Sequence, residues 1–482
     1  MISTIKNLLY IYQLSEYDNG FFLRWINNHP DLDNYLKSKK ENPVWTVKAR
    51  VIFIISLFFL PLYFIFPQKR FAYFLISAAA IMRPLETTVV FFLIRKIKFK
   101  LKKHKDLIKI GIAGSYGKTT TKEYLAEILL VKYRVLKSPE NINTLLGLVK
   151  FISKNLDESF QVLIVEMAAY KRGDIKKLCR MINPEIRILT GLTESHLERF
   201  GSLENIIKTK FEIMEGLVDG RNRVFLNIDD SIIFQNYQKF LKIQPEFYGL
   251  NAEIEKKFEA KNILVSEKGI DFDIFSAEGG SVSGGKNQEF YFNARVKIFG
   301  RHQMESILAA ISVTDRLGFT KEEILMGIGN LKPLSRRLFA TKTSQGITVI
   351  DDSYNISKAS VEAALEFLKE VFPKRRKIII AAGLVEQGVS KSENNKWFGE
   401  KIKTVGDLNL IIRNSNTQFI IEGMNLSKEE ILEYNKNKKL EIINQKIIIF
   451  ENAEELNFLL PEISKSGDVI LMLPYDLPAH YY

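Results

Sequence analysis

Residues Gly114-Ser115-Tyr116-Gly117-Lys118-Thr119-Thr120-Thr121 constrain this chain more than any other stretch, because of what stands on either side of them. The apolar run Ile108 to Ala113 before them reads as a buried strand, and Lys122 to Leu129 after them reads as a helix. Strand, glycines, Lys-Thr and helix, in that order, aim backbone N–H groups and a helix N-terminus at phosphate. Lys118 would add a point charge for the outer phosphates, and Thr119 a hydroxyl for Mg²⁺. The strict spacing G-x-x-x-x-G-K-[ST] is not met, because Ile112 stands where the first glycine belongs; the shorter G-[ST]-x-G-K-T-[ST] is present instead. A plain glycine turn before a basic helix is the alternative, and both flanks argue against it. The stretch therefore reads as an ATP site lined by Gly114, Ser115, Gly117, Lys118, Thr119 and Thr120.

A length of 482 residues needs more than one domain at roughly 100–200 residues each, and 46% apolar residues suffice for real cores. The net charge of +13 looks at first like a nucleic-acid signal, but it is unevenly spread. Residues 1–105 carry 17 Lys/Arg against 6 Asp/Glu, whereas the rest of the chain carries 52 against 50. The basic excess sits beside two apolar stretches, so no nucleic-acid partner is expected.

Those stretches are Val51 to Phe66, with no charge in 16 residues, and Phe71 to Ile94, interrupted by Arg83 and Glu86. Each approaches the roughly 20 residues that cross a bilayer core. Lys37, Lys39, Lys40, Lys48 and Arg50 precede the pair, and seven Lys/Arg follow between Arg95 and Lys105. Positive charge favours the cytoplasmic side, which makes residues 49–96 a membrane hairpin with both outer flanks cytoplasmic. A buried core hairpin or an interfacial pair is the alternative. Arg83 and Glu86 are spaced to pair on one helical face, or Arg83-Pro84 marks a bend. No secretory signal pattern is expected, since the apolar segment begins only at residue 51. The single cysteine, Cys179, suits a reducing compartment and a packing role.

Residues 1–48 read as a helical segment with Leu8, Leu9, Ile11, Tyr12, Leu14 and Trp25 apolar. Further on, short apolar strands alternate with helices: Gln161 to Val165, Ile186 to Thr190 and Val224 to Asn227. That alternation predicts a mostly parallel α/β sheet over residues 107–335. Residues 245–298 read as a strand-rich hairpin insertion with a tip at Gly279 to Gly285, and Asn435 to Lys439 as a solvated loop. A second α/β unit, 336–482, has strands at Ile347–Ile350, Lys377–Ala382 and Val469–Met472. In open α/β sheets, ligands bind at the carboxyl ends of strands. Glu166 ends one such strand and could hold Mg²⁺ with Thr119, or be an ordinary surface glutamate. His196 lies in a polar loop, and Lys210 lies on a helix where a solvent-facing role is the simplest alternative.

The ordered set GSYGKTTTK, ENINTLLG, VEMAAYKRGDI, TESHLERFGSLENIIKTKFEI, GRHQMESILAAI and DDSYN resembles the Mur ligases. It is most similar to their MurF branch, which adds D-alanyl-D-alanine to a UDP-muramoyl tripeptide. The resemblance covers about residues 108–400. It implies a phosphate-loop central domain, a Rossmann-like C-terminal domain, ATP and Mg²⁺. By the same resemblance Lys118 and Thr119 serve phosphate and metal, Glu166 binds magnesium, and His196 holds a second magnesium. Lys210 corresponds to a lysine that is carbamylated in many members. Arg337 and Asp352 correspond to nucleotide contacts, Asp352 to the ribose. The implied chemistry is amide ligation through an acyl phosphate, with Lys118, His196 and Lys210 as catalytic groups.

The departures are specific. Where the family has G-x-H-N-x-x-N facing adenine, this chain has Gly300-Arg301-His302-Gln303-Met304-Glu305-Ser306, so Gln303 offers an amide and Ser306 only a hydroxyl. The G-D-M-x-E-L-G motif reads Ala382-Gly383-Leu384-Val385-Glu386-Gln387-Gly388, without its acid, and Ser357-Lys358 replace Asn-Pro. The ending Asp476-Leu477-Pro478 is not the usual one. In place of the small domain that grips the UDP-sugar stands the apolar pair. The expectation is a ligase on the inner face of a bacterial cytoplasmic membrane, acting on a cell-wall precursor peptide or sugar-peptide that is lipid-linked. Two alternatives stand beside it: a nucleotide-binding membrane scaffold with a degenerate ligase domain, and an amino-acid-polymerising or folate-type ligase.

Overall fold

The structure, a computed structural model, describes residues 2–15, 17–28, 43–58, 68–140, 142–194, 197–250, 256–277, 288–354, 356–433 and 445–475. His196, the Gly279–Gly285 tip, the Asn435–Lys439 tract, the Asp476–Pro478 ending and positions 59–66 of the first apolar stretch lie outside these residues. The chain divides into an N-terminal unit, residues 1–96 with 478–482, and a larger unit, residues 97–477.

In the N-terminal unit, helices Ile2–Leu14, Asn19–Asn28 and Val47–Leu57 pack with the start of the helix Gln68–Lys103. Leu8, Leu9, Ile11, Tyr12 and Trp25 form the core of this unit, together with Phe22, Ile52 and Leu75. Helix Gln68–Lys103 runs for 36 residues with Pro84 inside it, so Arg83-Pro84 does not end the helix. Proline removes one helical N–H, and nearby Thr87 and Thr88 donate their hydroxyls to the carbonyls of Arg83 and Pro84. Glu86 does not pair with Arg83; both its oxygens receive Lys48 Nζ, at 3.0 and 2.9 Å. Ile81, Leu85, Val89, Phe91 and Phe92 on this helix are exposed. Among the described residues, Ala72–Lys103 is the one helix long and apolar enough to cross a membrane, by length and composition alone.

In the larger unit, six short strands make a parallel sheet: β1 (Ile108–Ala113), β2 (Val135–Lys137), β3 (Val162–Glu166), β4 (Ile186–Leu189), β5 (Arg223–Asn227) and β6 (Glu246–Tyr248). Their order is β2-β3-β1-β4-β5-β6. Continuous apolar runs such as Val162 to Val165 are wholly buried, as strands covered on both faces must be. The order reverses between β1 and β4, and in open α/β sheets ligands bind beyond the carboxyl ends of strands at such a reversal. The insertion is not a two-stranded hairpin but an antiparallel meander of three strands, β7 (Phe258–Ser266), β8 (Gly269–Ala277) and β9 (Gln288–Val296). It shares a core with helix Gln303–Arg316 and with the first sheet.

A second, mixed sheet comprises β10 (Phe339–Lys342), β11 (Thr348–Asp351), β12 (Lys377–Ala381), β13 (Leu408–Ile412), β14 (Ile431–Glu433), β15 (Ile447–Phe450) and β16 (Val469–Met472). Its order is β10-β11-β16-β12-β13-β15-β14, parallel except for the β10–β11 pair. Strands β11, β12 and β16 coincide with the three that the sequence predicts. Strands β10, β13, β14 and β15 are additional.

Candidate functional site

The loop after β1 is built by glycines in conformations closed to other residues. Gly114 has φ +153°, and a Cβ there would sit 2.1 Å from Thr190 Oγ1. Gly117, at φ +76°, begins helix Lys118–Leu129 without any capping side chain. The helix therefore starts at Lys118, four residues before the sequence pattern places it, and its first-turn N–H groups face outward with the positive end of the dipole. Thr119 and Thr120 are buried in that turn. Ser115 Oγ is buried and has no partner.

The loop is laced to the end of β4. Ser115 N donates to Gly191 O at 2.6 Å, and Thr190 N donates to Ala113 O at 3.0 Å. Tyr116 folds its ring over Gly191 and donates its hydroxyl to Asp230 at 3.2 Å. Asp230 also accepts the N–H of Leu192 at 2.6 Å. Asn227 donates to Thr190 O at 2.8 Å and to Glu305 at 2.7 Å. Sequence reasoning missed Thr190, Gly191, Asn227 and Asp230; the one signal available was that each stands at or just beyond the carboxyl end of β4 or β5.

Lys118 Nζ donates to Gly114 O at 2.9 Å and to Ser115 O at 3.1 Å. Burial lowers its pKa to about 8, with Glu166 opposing and Arg337 adding to the shift. Lys210 ends helix Leu203–Lys210 and is 4% exposed, which rules out the solvent-facing alternative. Its pKa falls to about 7 through burial and the neighbouring charge of Lys118. Glu166, at the end of β3, is 2% exposed and is no surface glutamate. Lys122 Nζ approaches Glu166 Oε1 to 2.9 Å as an ion pair, but outside hydrogen-bond geometry, so that oxygen has no donor.

From the second sheet comes Arg337, set between two residues in left-handed backbone, Arg336 at φ 60° and Leu338 at φ 53°. Its guanidinium lies 4.0 Å from the centre of the Tyr354 ring and 3.6 Å from Glu140, and its Nε is buried without a partner. Asp352 accepts the N–H of Leu338 at 3.0 Å, and burial raises its pKa to about 7. Lys118, Lys210, Glu166 and Arg337 are thus one electrostatically coupled group. Gln303 stands apart from it. Its carbonyl oxygen accepts Tyr124 OH at 3.2 Å, and Ser306 bonds Thr121 at 3.1 Å, so both face the phosphate-loop helix. Cys179 is a packing residue, its thiol buried beside Met167 and its pKa pushed up to about 12 by burial.

A glycine loop on the switch point of a parallel sheet, with a second α/β layer supplying an arginine, defines a phosphate-loop α/β protein of two sheets. Residues 112–314 match the Mur ligase middle domain and residues 336–475 the Mur ligase, glutamate ligase domain; the chain belongs to the Mur ligase family. The UDP-N-acetylmuramoyl-tripeptide–D-alanyl-D-alanine ligase of Bacillus subtilis (strain 168) is 28% identical over 333 residues, covering 69% of this chain and 68% of that protein. The Escherichia coli (strain K12) enzyme of the same name is 28% identical over 297 residues, 62% of each chain. MurF ligase from Thermotoga maritima, solved in complex with ADP, superposes with a TM-score of 0.64 at 24% identity over 80% of each chain. MurF from Acinetobacter baumannii gives 0.66 at 20% identity over 80% of this chain and 77% of that one. The family and these relatives make the chain a MurF-like ATP-dependent peptide ligase.

Proposed function

We propose that the chain joins a carboxylate of a cell-wall precursor to an amine, using ATP, through an acyl phosphate. The observation that carries this reading is the pair Lys118 and Lys210. Lys210 is buried and Lys118 half-buried, and the charge acting on Lys210 is the like charge of Lys118. Two neighbouring cations withdrawn from solvent call for an anion between or beside them, because an uncompensated buried charge is costly. The first-turn N–H groups of helix Lys118–Leu129 and the unpartnered Ser115 hydroxyl suit phosphate oxygens. The Glu166 carboxylate, buried at the end of β3, together with the Thr119 hydroxyl suits Mg²⁺. When bound, that ion would neutralise charge on the transferring phosphoryl group.

In the proposed reaction the substrate carboxylate oxygen attacks the γ-phosphorus of ATP, and the bond to the bridging oxygen breaks to release ADP. The amine then attacks the acyl carbon, phosphate departs, and the amine loses a proton. Lys118 leaves the carbonyls of Gly114 and Ser115 to follow the moving charge, and Arg337 approaches from the second sheet. Asp352 is assigned to the ribose. Gln303 is assigned to the base through its amide nitrogen. Lys210 is a candidate for carbamylation: with a pKa of about 7 it is about half neutral at pH 7, and a neutral amine can add to CO₂ with loss of a proton. The carbamate would convert a buried cation into a metal-binding anion, with His196 as a further metal ligand.

The apolar exposure along Ala72–Lys103 and the basic residues at its end support a membrane location on the cytoplasmic face, with a lipid-linked acceptor. ADP release measured with soluble UDP-muramoyl peptides and with lipid-linked ones tests the substrate. A clear preference for the soluble form removes the lipid-linked reading. If Lys118→Ala and Lys210→Ala both leave cell growth and ADP release intact, the ligase reading of these residues fails and the scaffold alternative gains.

A further inference from the structure

Lys122 is the most deeply buried lysine among the described residues and lies outside the groups assigned above. It has no exposed surface at all, although lysine is almost never fully buried without a reason. It lies one helical turn beyond Lys118, on the same face of helix Lys118–Leu129. Three oxygens surround its ammonium: Ser138 O at 2.7 Å, Glu166 Oε1 at 2.9 Å and Glu123 Oε1 at 3.1 Å. Glu123 is in turn held by Lys137 at 2.6 Å, which closes an alternating chain of charges from the surface inward. Ser138 is also fully buried, and its hydroxyl accepts the backbone N–H of Glu166 at 3.2 Å.

The geometry points to Lys122 and Ser138 as positioning residues that clamp Glu166 against the phosphate-loop helix, an inference that rests on Glu166 being a metal ligand. Lys122 ties three separate pieces together: the helix that carries Lys118 and Thr119, the loop after β2, and the end of β3. Ser138 fixes the Glu166 backbone while Lys122 fixes its carboxylate. The clamp sets the spacing between the Thr119 hydroxyl and the Glu166 carboxylate, which is the spacing a shared divalent ion has to find. Lys122 is assigned a role through Glu166 alone, as a positioning residue rather than a ligand. Outer groups that orient a metal ligand typically contribute 10–100-fold to metal affinity.

The test is Mn²⁺ binding to the full-length protein in the presence of ADP, followed by electron paramagnetic resonance, in Lys122→Met, Ser138→Ala, Glu166→Gln and the double variant Lys122→Met/Glu166→Gln. The clamp requires Lys122→Met to weaken Mn²⁺ binding about tenfold and Ser138→Ala severalfold. It also requires Lys122→Met to have less than a twofold effect once Glu166 is already glutamine, because the lysine acts only through that carboxylate. Unchanged or tighter Mn²⁺ binding in Lys122→Met overturns the clamp, and so does an equal loss in the Glu166→Gln background. Should Lys122→Met fail to fold, Ser138→Ala decides alone, with unchanged Mn²⁺ binding counting against the clamp. If Glu166→Gln leaves Mn²⁺ binding unaltered, it is the metal reading of Glu166 that falls, a result distinct from failure of the clamp.

Discussion

Arg199 donates from Nε to Glu386 Oε1 at 3.0 Å, joining the short helix that follows β4 to the loop that follows β12. Both side chains are largely buried, at 12% and 5% exposure, and the Arg199 guanidinium also lies 5.2 Å from the Tyr170 ring centre. Glu386 holds this contact from left-handed backbone, φ 56°, a conformation that costs a non-glycine residue about 1–2 kcal/mol. A strained residue kept in a buried ion pair marks a contact that the two sheets depend on. Arg199→Met should therefore lower unfolding stability by about 1.5–3 kcal/mol, the range for a hydrogen bond to a charged group. A double-mutant cycle with Glu386→Gln, read by denaturant melts, should give a coupling of at least about 1 kcal/mol. Additive losses would mean that the pair contributes nothing of its own.

Lys118 separates activity from stability. Lys118 is half-buried, and desolvation lowers its pKa, so the folded state already resists the charge. Lys118→Met should melt at or above the wild-type temperature. ADP formation should nevertheless fall by about 10²–10³-fold, the usual loss when one group that stabilises developing charge is removed. Wild-type turnover in Lys118→Met would contradict its assignment to the phosphates.

The fold was legible wherever strands are continuous apolar runs closed by glycine or acidic residues, as at Ile108–Ala113, Val162–Glu166 and Lys377–Ala381. Local pattern also announced the phosphate loop, because Gly114 and Gly117 carry their conformational requirement with them. It could not announce that Lys122 is buried, since nothing in Thr121-Lys122-Glu123 distinguishes it from a solvated helix lysine. Nor could it find Arg199 with Glu386, whose partners stand 187 positions apart. The Arg83–Glu86 pairing failed for the same reason. Helical spacing made those two residues neighbours, but Lys48 from another helix offered Glu86 a closer contact. Short-range periodicity specifies elements; pairing of charges between elements is set by packing that no window of sequence contains.

Gly191 is a seat for an aromatic ring. A Cβ at this position would lie 2.1 Å from Tyr116 Cζ, so Gly191→Ala must push the ring out or open the loop after β1. Overpacking of this kind costs about 1–3 kcal/mol. Because Tyr116 sits inside the phosphate loop, nucleotide affinity should fall along with stability. The companion variant Tyr116→Phe removes only the hydroxyl bond to Asp230 and should cost about 1 kcal/mol while leaving the loop seated. If Gly191→Ala binds ADP as the wild type does, measured by calorimetry, the ring contact is not what holds the loop.

Lys210 gives the sharpest dependence on pH. An unperturbed lysine keeps its proton up to about 10.5, whereas burial and Lys118 bring this one to about 7. Between those two values the unfolded chain binds one more proton than the folded protein, so folding stability rises with pH across the window. Below about pH 7 both states are protonated, and the full penalty of burying the charge is present and constant. Lys210→Met carries no such penalty. In CO₂-free buffer its advantage in melting temperature over the wild type should be greatest near pH 6.5 and should shrink steadily towards pH 9.5. Adding bicarbonate at pH 8 should then raise the wild-type melting temperature and leave Lys210→Met unmoved, because the variant lacks the Lys210 amine that would become the carbamate. A melting difference that is flat with pH would mean that Lys210 is not held against its charge. A bicarbonate response shared by both proteins would place any carbamylation elsewhere.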